Sequence, residues 1–390
     1  MEQDPMYSLN EEIVYKNEIH SMMFMEEVLD SMFDWVRVTD KVGTVVFMNR
    51  AMRSYYEQNE EEAKILDRAS IDISHEESSG ADFDSKPMVH ETGESDREIK
   101  VGSKVFAVIS SPLNSVEGNA EYFVEVFRDV TRLKNLQHTI IEQNNKFEND
   151  LDMAKMLQLK LLPKASPNPM IDFCYIYKPC DMLGGDFIDM YNIGNDHLGV
   201  YIADVSGHGV SASILTVFLR STISKRLTSP AKALNTLYQE FCINNFESEV
   251  YITVFYAIYD FKKGILTYSN AGHNATPILY NKNNPEKQTQ LQIPGIPISS
   301  WMESTVYREE SIKVEPGDLL FLYTDGLSEI KNREREMFGQ NRINDLLMES
   351  AHGDHQRMME EILDTACSFG DISSKSMQAD DITLSFVELK

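Results

Sequence analysis

Four aspartate sites stand at the ends of apolar runs, and that pattern limits this chain more than any other. Leu198-Gly199-Val200-Tyr201-Ile202-Ala203 runs into Asp204-Val205-Ser206-Gly207-His208-Gly209. A helical pattern follows, with Val210, Ile214, Val217 and Phe218 on one face. A buried strand therefore delivers a carboxylate to the mouth of a tight turn. Gly184-Gly185-Asp186-Phe187-Ile188-Asp189 sets a second aspartate beside glycines. Leu319-Leu320-Phe321-Leu322-Tyr323-Thr324-Asp325-Gly326 is another apolar strand ending in Asp-Gly. Asp380 and Asp381 come just before a final strand, Ile382–Val387. One Asp-Gly after a strand is ordinarily a turn. Four such sites in one domain, with no matching supply of Lys or Arg, ask for another reason, because buried carboxylates repel one another unless cations hold them. All-oxygen ligation favours Mg²⁺ or Mn²⁺ over zinc. Two such ions can activate a water and clamp a phosphoryl oxygen.

Composition narrows the partners. The 390 residues allow two domains and a linker. Acidic residues number 62 and basic ones 36, a net charge of −26. A nucleic-acid duplex would be repelled, and no cluster of Lys and Arg offers it a local patch. The four cysteines, Cys174, Cys180, Cys242 and Cys367, form no CxxC pair, so neither a zinc site nor a disulfide framework is expected. That usage fits a reducing cytoplasm. Met1-Glu2-Gln3-Asp4-Pro5 does not begin a signal peptide, and no apolar run reaches membrane-spanning length.

The N-terminal part reads as helix over 10–34, then Trp35–Asn49 as strand, turn and strand around Asp40 and Gly43. A short helix is expected over Ala51–Glu57, and a loop with short helices over Ile71–Glu98. Strands are expected at Lys104–Ser110 and Tyr122–Arg128, joined by a hairpin through Asn114–Asn119. The residues Asp40-x-x-Gly43-x-Val45-x-Phe47-x-Asn49 and Phe127-Arg128-Asp129-Val130-Thr131 resemble a PAS sensor domain over residues 24 to 132. The resemblance implies an antiparallel sheet with helices; the residues before it, 1–23, are expected as an N-terminal helix. With no cysteine before position 174, a LOV-type flavin adduct is excluded. His75 and His90 are candidate haem ligands, set against the plainer reading of an empty dimerising or partner-binding domain whose ligand is unknown.

A helix is expected from Thr131 to Leu162, within a linker over 133–164. Leu133, Leu136, Ile140, Asn144, Phe147, Leu151, Ala154, Gln158 and Leu161 recur as a heptad with one stutter after Ile140. Either an amphipathic helix packed on its own domains or a parallel two-stranded coil follows, and the polar seam residues Asn144 and Gln158 favour the coil. Pro163, Pro167 and Pro169 mark the boundary.

From about residue 170 many strands alternate with two pairs of helices, an α+β design best built as a β-sandwich flanked by helices. The ordered set Gly-Gly-Asp186-Phe-x-Asp, Asp204-Val-Ser-Gly-His-Gly, Asn270-Ala-Gly-His-Asn, Tyr323-Thr-Asp325-Gly and Asp380-Asp-Ile-Thr resembles the metal-dependent protein phosphatases (PPM), in their bacterial SpoIIE/RsbU-like branch. Ala154-x-x-x-Gln158-x-x-Leu161-Leu162-Pro163 resembles the helix that precedes that domain, taken here as 165–390. The resemblance implies that Asp204 bridges two Mn²⁺ or Mg²⁺ ions with help from the Val205 carbonyl. Asp186 binds directly or through water, and Asp325 and Asp380 hold the second ion. Asp381 stands where the family often has asparagine, one step behind the ligands. Water then attacks phosphoserine or phosphothreonine with no covalent intermediate. His208 is the candidate acid, since the histidine many PPM enzymes carry two places after the bridging aspartate is Ser206 here. No arginine near the first motif offers a phosphate grip, and His273 reads as structural. The branch implies a phosphorylated anti-sigma-factor antagonist as substrate, and a homodimer through the PAS domain and linker.

Three rivals are weaker. A diguanylate cyclase needs an acidic residue where Phe187 stands, and a histidine kinase needs an acidic residue after His138, where Thr139 stands. A catalytically silent PPM-fold scaffold would have no reason to keep every metal aspartate.

Overall fold

The computed structural model describes residues 20–71, 88–89, 95–114 and 120–389, except 248, 303, 316, 350–353 and 373–377. His75, His90, most of the expected 1–23 helix and the turn at 115–119 lie outside them. The chain divides into two compact units, Met1–Lys146 and Phe147–Lys390.

The first unit begins with helix α1, residues 20–30. Strands β1 (Trp35–Asp40) and β2 (Val45–Met48) form the expected hairpin. Its turn closes because Asp40 Oδ1 accepts from the backbone N–H of Val42 (2.9 Å) and Thr44 (2.8 Å). Helix α2 (Arg50–Gln58) starts on Asn49, whose side chain accepts from Met52 N. Then come α3 (Glu60–Ile71), β3 (Met88–Val89), β4 (Ser95–Val101), β5 (Lys104–Asn114) and β6 (Ala120–Asp129). The strands make one antiparallel sheet in the order β2-β1-β6-β5-β4-β3. Trp35, Met52, Leu66, Ile99, Phe106, Val108 and Phe127 form its core. The loop expected over 71–98 is corrected by β4, which starts at Ser95. β4 is polar because Arg97 reaches Glu125 (3.0 Å), which also holds Arg37 at 2.6 Å with both Arg37 and Glu125 fully buried.

Helix α4 (Thr131–Leu161) runs from the first unit into the second. The second unit contains two sheets. One is β15-β11-β10-β9-β8, with β14 added to β10; the other is β13-β12-β16-β17-β7. Their strands are β7 (Ile171–Lys178), β8 (Phe187–Ile193), β9 (His197–Val205), β10 (Tyr251–Asp260), β11 (Ile265–Ala271), β12 (Ile278–Asn281), β13 (Asn284–Gln290), β14 (Ile298–Ser299), β15 (Glu309–Lys313), β16 (Asp318–Tyr323) and β17 (Ile382–Leu389). Helices α5 (Val210–Thr222) and α6 (Pro230–Ile243) follow β9. Helices α7 (Asp325–Ser328), α8 (Gly339–Glu349) and α9 (His355–Phe369) lie between β16 and β17.

The continuous apolar run of β16 explains the layering. Leu320 and Leu322 enter the core shared by both sheets, α5 and α6. Leu319, Phe321 and Tyr323 enter a second core with α8 and α9. Successive side chains point to opposite faces, so a strand covered on both sides must be apolar throughout. Each fully buried Leu or Phe stabilises the fold by roughly 1.5–3 kcal/mol.

Three strands escape a reading based on apolar pattern. β13 and β15 are edge strands with mostly polar, exposed residues, and β14 is two residues long. The apolar face of α5 also differs from the expected one. Val210, Ile214 and Val217 are exposed, and Ala212, Leu215, Thr216 and Leu219 face inward, with Phe218 packed partly against the core. Among the described residues no helix is long and apolar enough to cross a membrane.

Candidate functional site

Strand register, rather than sequence proximity, assembles the site. In the β8–β9 pair, Phe187 faces Ala203, so Asp186 just before β8 stands across from Asp204 at the end of β9. In the other sheet, Tyr323 faces Leu384, and Thr324 N donates to Thr383 O at 3.0 Å. Asp325 therefore lies beside the Asp380-Asp381 turn. Each sheet contributes one aspartate pair.

Glycine permits the close approach between these loops. A Cβ at Gly185 would lie 2.7 Å from the Val205 carbonyl oxygen, and one at Gly326 only 1.9 Å from that of Asp381. The loops are then tied by polar bonds. Asp381 accepts from Cys180 N (2.7 Å), Gly185 N (2.5 Å) and, more weakly, Asp186 N (3.4 Å). Both of its oxygens are thus engaged by backbone. Gln158, near the end of α4, donates to Gly184 O at 2.7 Å and accepts from Gly184 N at 3.3 Å. Gln158 is 5% exposed, and the next turn seats Leu161 and Leu162 in the core. The last part of the expected heptad seam therefore lies against this unit, whereas Leu133, Leu136, Ile140 and Phe147 are exposed.

The electrostatics follow from gathering negative charge. Burial, then the charges of Asp325, Asp380 and Asp381, push Asp204 up to about 7. Burial, then Asp380 and Glu329, push Asp325 up to about 6. Asp186 is raised well above the carboxylate range by burial and then by Asp204 and Asp381, and Asp380 is raised chiefly by burial. No Lys or Arg is among the causes, and only His208 among them bears a possible positive charge, toward Asp380. An all-oxygen donor set carrying uncompensated charge suits a hard divalent cation. Among the described residues no three His, Cys, Asp or Glu side chains already stand as one ligand shell. The carboxylates are separate but lie within one another's fields.

The remaining expected residues are placed as follows. His208 is exposed, with Nδ1 at 3.8 Å from Asp181 Oδ2. His273 is buried and spans the two sheets: Nε2 lies 2.9 Å from Tyr323 O and Nδ1 3.3 Å from the Thr253 hydroxyl. A carbonyl only accepts, so the proton sits on Nε2. Burial depresses His273 to about 4, and the ring is neutral. Sequence reasoning missed Glu329, whose charge bears on Asp204, Asp325 and Asp380. The available signal was its spacing, four residues after Asp325 across a helical turn.

Residues 194–390, about half of the chain, match the family described as Stage II sporulation protein E (SpoIIE). The chain belongs to the SpoIIE family. Protein IcfG of Synechocystis is 26% identical over 289 residues, 65% of this chain and 44% of IcfG. Phosphoserine phosphatase RsbP of Bacillus subtilis is 28% identical over 190 residues, 46% of this chain and 45% of RsbP. The chain thus spans less than half the length of either relative. The SiaA-PP2C domain of Pseudomonas aeruginosa superposes with a TM-score of 0.55 at 22% identity, covering 64% of this chain and 99% of that domain. The second unit of this SpoIIE-family chain therefore has the PP2C fold, the β-sandwich with flanking helices.

Proposed function

We propose that this chain is a metal-dependent protein serine/threonine phosphatase whose N-terminal unit is a sensor. One observation carries the reading: two antiparallel strand pairs, one from each sheet, bring Asp204 into the field of Asp325 and Asp380, and Asp186 into that of Asp204 and Asp381, with no Lys or Arg among them. Asp204, Asp325 and Asp380, with the Val205 carbonyl, would hold two Mn²⁺ or Mg²⁺ ions, and Asp186 would bind directly or through water. Such a pair, when bound, polarises a phosphoryl oxygen and lowers the pKa of water. This chain's own groups do the rest. Asp381 secures the loop that carries Asp186, and His208, exposed beside Asp181, is the candidate donor of the leaving group's proton.

RsbP is named a phosphoserine phosphatase, which supports a phosphoserine or phosphothreonine protein as substrate, in this branch an anti-sigma-factor antagonist. The six-stranded antiparallel sheet with helices supports a PAS-like sensor over 24–132. The exposed apolar positions along the first half of α4 support a homodimer through the sensor and linker. The cysteine pattern supports a cytoplasmic site of action.

Hydrolysis of an aryl phosphate by the purified chain tests the reading. Activity should require Mn²⁺, vanish with EDTA and fall by at least a hundredfold in Asp325→Asn. Residues 165–390, and a form that keeps the linker, are assayed in parallel. Silence in every form would replace the enzyme by a signalling scaffold.

A further inference from the structure

Asp186 is the most enclosed carboxylate of the site, 1% exposed, and one of its oxygens is already fully committed. The hydroxyl of Thr324 donates to Asp186 Oδ2 at 2.7 Å, and so does that of Thr383, also at 2.7 Å. Both threonines are 0% exposed. The Thr324 hydroxyl oxygen in turn accepts from Thr383 N at 2.9 Å. A carboxylate oxygen has two lone-pair positions, and two hydroxyl protons fill them.

We propose that Thr324 and Thr383 are positioning residues for Asp186, which together occupy Oδ2 and leave Oδ1 as the only oxygen turned to a metal ion. The proposal rests on the phosphatase reading above. The two hydroxyls come from the strand pair of one sheet and the carboxylate from the loop before β8 in the other. They lie 138 and 197 residues from Asp186 in the chain. Thr324 directly precedes Asp325, and Thr383 closes the Asp380-Asp381 turn, so each of these two metal segments also aims the aspartate of the opposite sheet. A carboxylate that can neither rotate nor bind through both oxygens offers one fixed donor. Partners of this kind, which hold a ligand without touching the ion, typically govern about ten- to a hundredfold in metal affinity or activity.

Thr383→Val is the decisive substitution. It keeps the shape and removes one hydroxyl whose partner among the described residues is Asp186. Thr324→Val also strips the acceptor from Thr383 N, so it confounds positioning with stability. Mn²⁺ binding to the full chain is measured by the electron paramagnetic resonance of the free ion. The Mn²⁺ concentration for half-maximal aryl phosphate hydrolysis is measured beside it. Thr383→Val should bind Mn²⁺ about tenfold more weakly and regain most turnover at saturating Mn²⁺. Thr383→Ser should stay within about twofold of wild type, and Asp186→Asn should be weaker than either. A Thr383→Val protein that melts cooperatively and binds Mn²⁺ as wild type does would overturn the proposal, as would a serine variant as weak as the valine one. If Thr383→Val fails to fold, Thr383→Ala, which also lacks a donor, takes its place, and wild-type Mn²⁺ affinity in that variant overturns the proposal. Failure of the phosphatase reading looks different: wild type itself then neither binds Mn²⁺ nor hydrolyses the ester, and both inferences fall.

Discussion

At the scale of single residues, His273 shows how a motif residue supports the site without joining it. The sequence places it in a turn after a strand, where a structural role is expected. The structure gives that role a form, a neutral ring held between Thr253 of one sheet and Tyr323 of the other. Its pKa falls from 6.5 to about 4 on folding because burial disfavours the charged ring. Between those values the unfolded chain binds a proton that the folded one refuses. The stability this imidazole contributes is thus present above pH 6.5 and lost as pH falls toward 4. Asp204 and Asp325 act in the opposite sense, since their folded pKa values are raised to about 7 and about 6. The comparison of wild type with His273→Gln isolates the histidine. Urea unfolding with EDTA present should show the stability gap between them shrinking by about 3 kcal/mol from pH 7 to pH 4. A gap that does not change with pH would mean that the folded ring takes up its proton as readily as the unfolded one.

At the scale of elements, α4 has two different stretches. Its first part is exposed on every face from residue 135 to 150, the expected seam residues Leu136, Ile140 and Phe147 included. Its final turns instead deliver Gln158 to both backbone groups of Gly184, two residues from Asp186. A buried amide left without those bonds costs about 1–3 kcal/mol. Gln158→Leu should therefore lower thermal stability and change turnover at saturating Mn²⁺, read as kcat for an aryl phosphate. Unchanged turnover in a folded variant would remove any regulatory role for this contact. The helix was legible because its apolar side chains repeat every three or four residues. The hold on Gly184 was not, because the same glutamine suits a coil seam or a backbone clamp, and only the neighbouring loop decides. The polar strands β13 and β15 were equally invisible: at a sheet edge the outward residues face water, and apolar alternation disappears.

At the scale of the whole molecule, each unit has its own core, one around Trp35, Phe106 and Phe127, the others around the two sheets of the second unit. The proposed ions touch only the second. A ligand at about a hundred times its Kd stabilises the state that binds it by about 2.7 kcal/mol. Hydrogen exchange on the full chain with and without Mn²⁺ should show that gain in β9, β16 and β17 and none in β1 and β6. Equal protection throughout, or none anywhere, would contradict a metal centre confined to the aspartate turns.

The sequence by itself determined which strands are buried on both faces, since runs such as Leu319–Tyr323 have no polar position to give to water. It also determined that Asp186, Asp204, Asp325 and Asp380 fall where such strands end, and that glycine stands directly beside Asp186 and Asp325. Only the tertiary structure decided their pairing. Phe187 facing Ala203 and Tyr323 facing Leu384 are register choices, and a slip of one residue would turn each strand's side chains to the opposite face. Only the tertiary structure, too, turned Thr324 and Thr383 onto one oxygen of Asp186. Nothing local distinguishes a threonine that donates across a sandwich from one that merely suits a strand, because the energy of that bond lies in a partner nearly two hundred residues away.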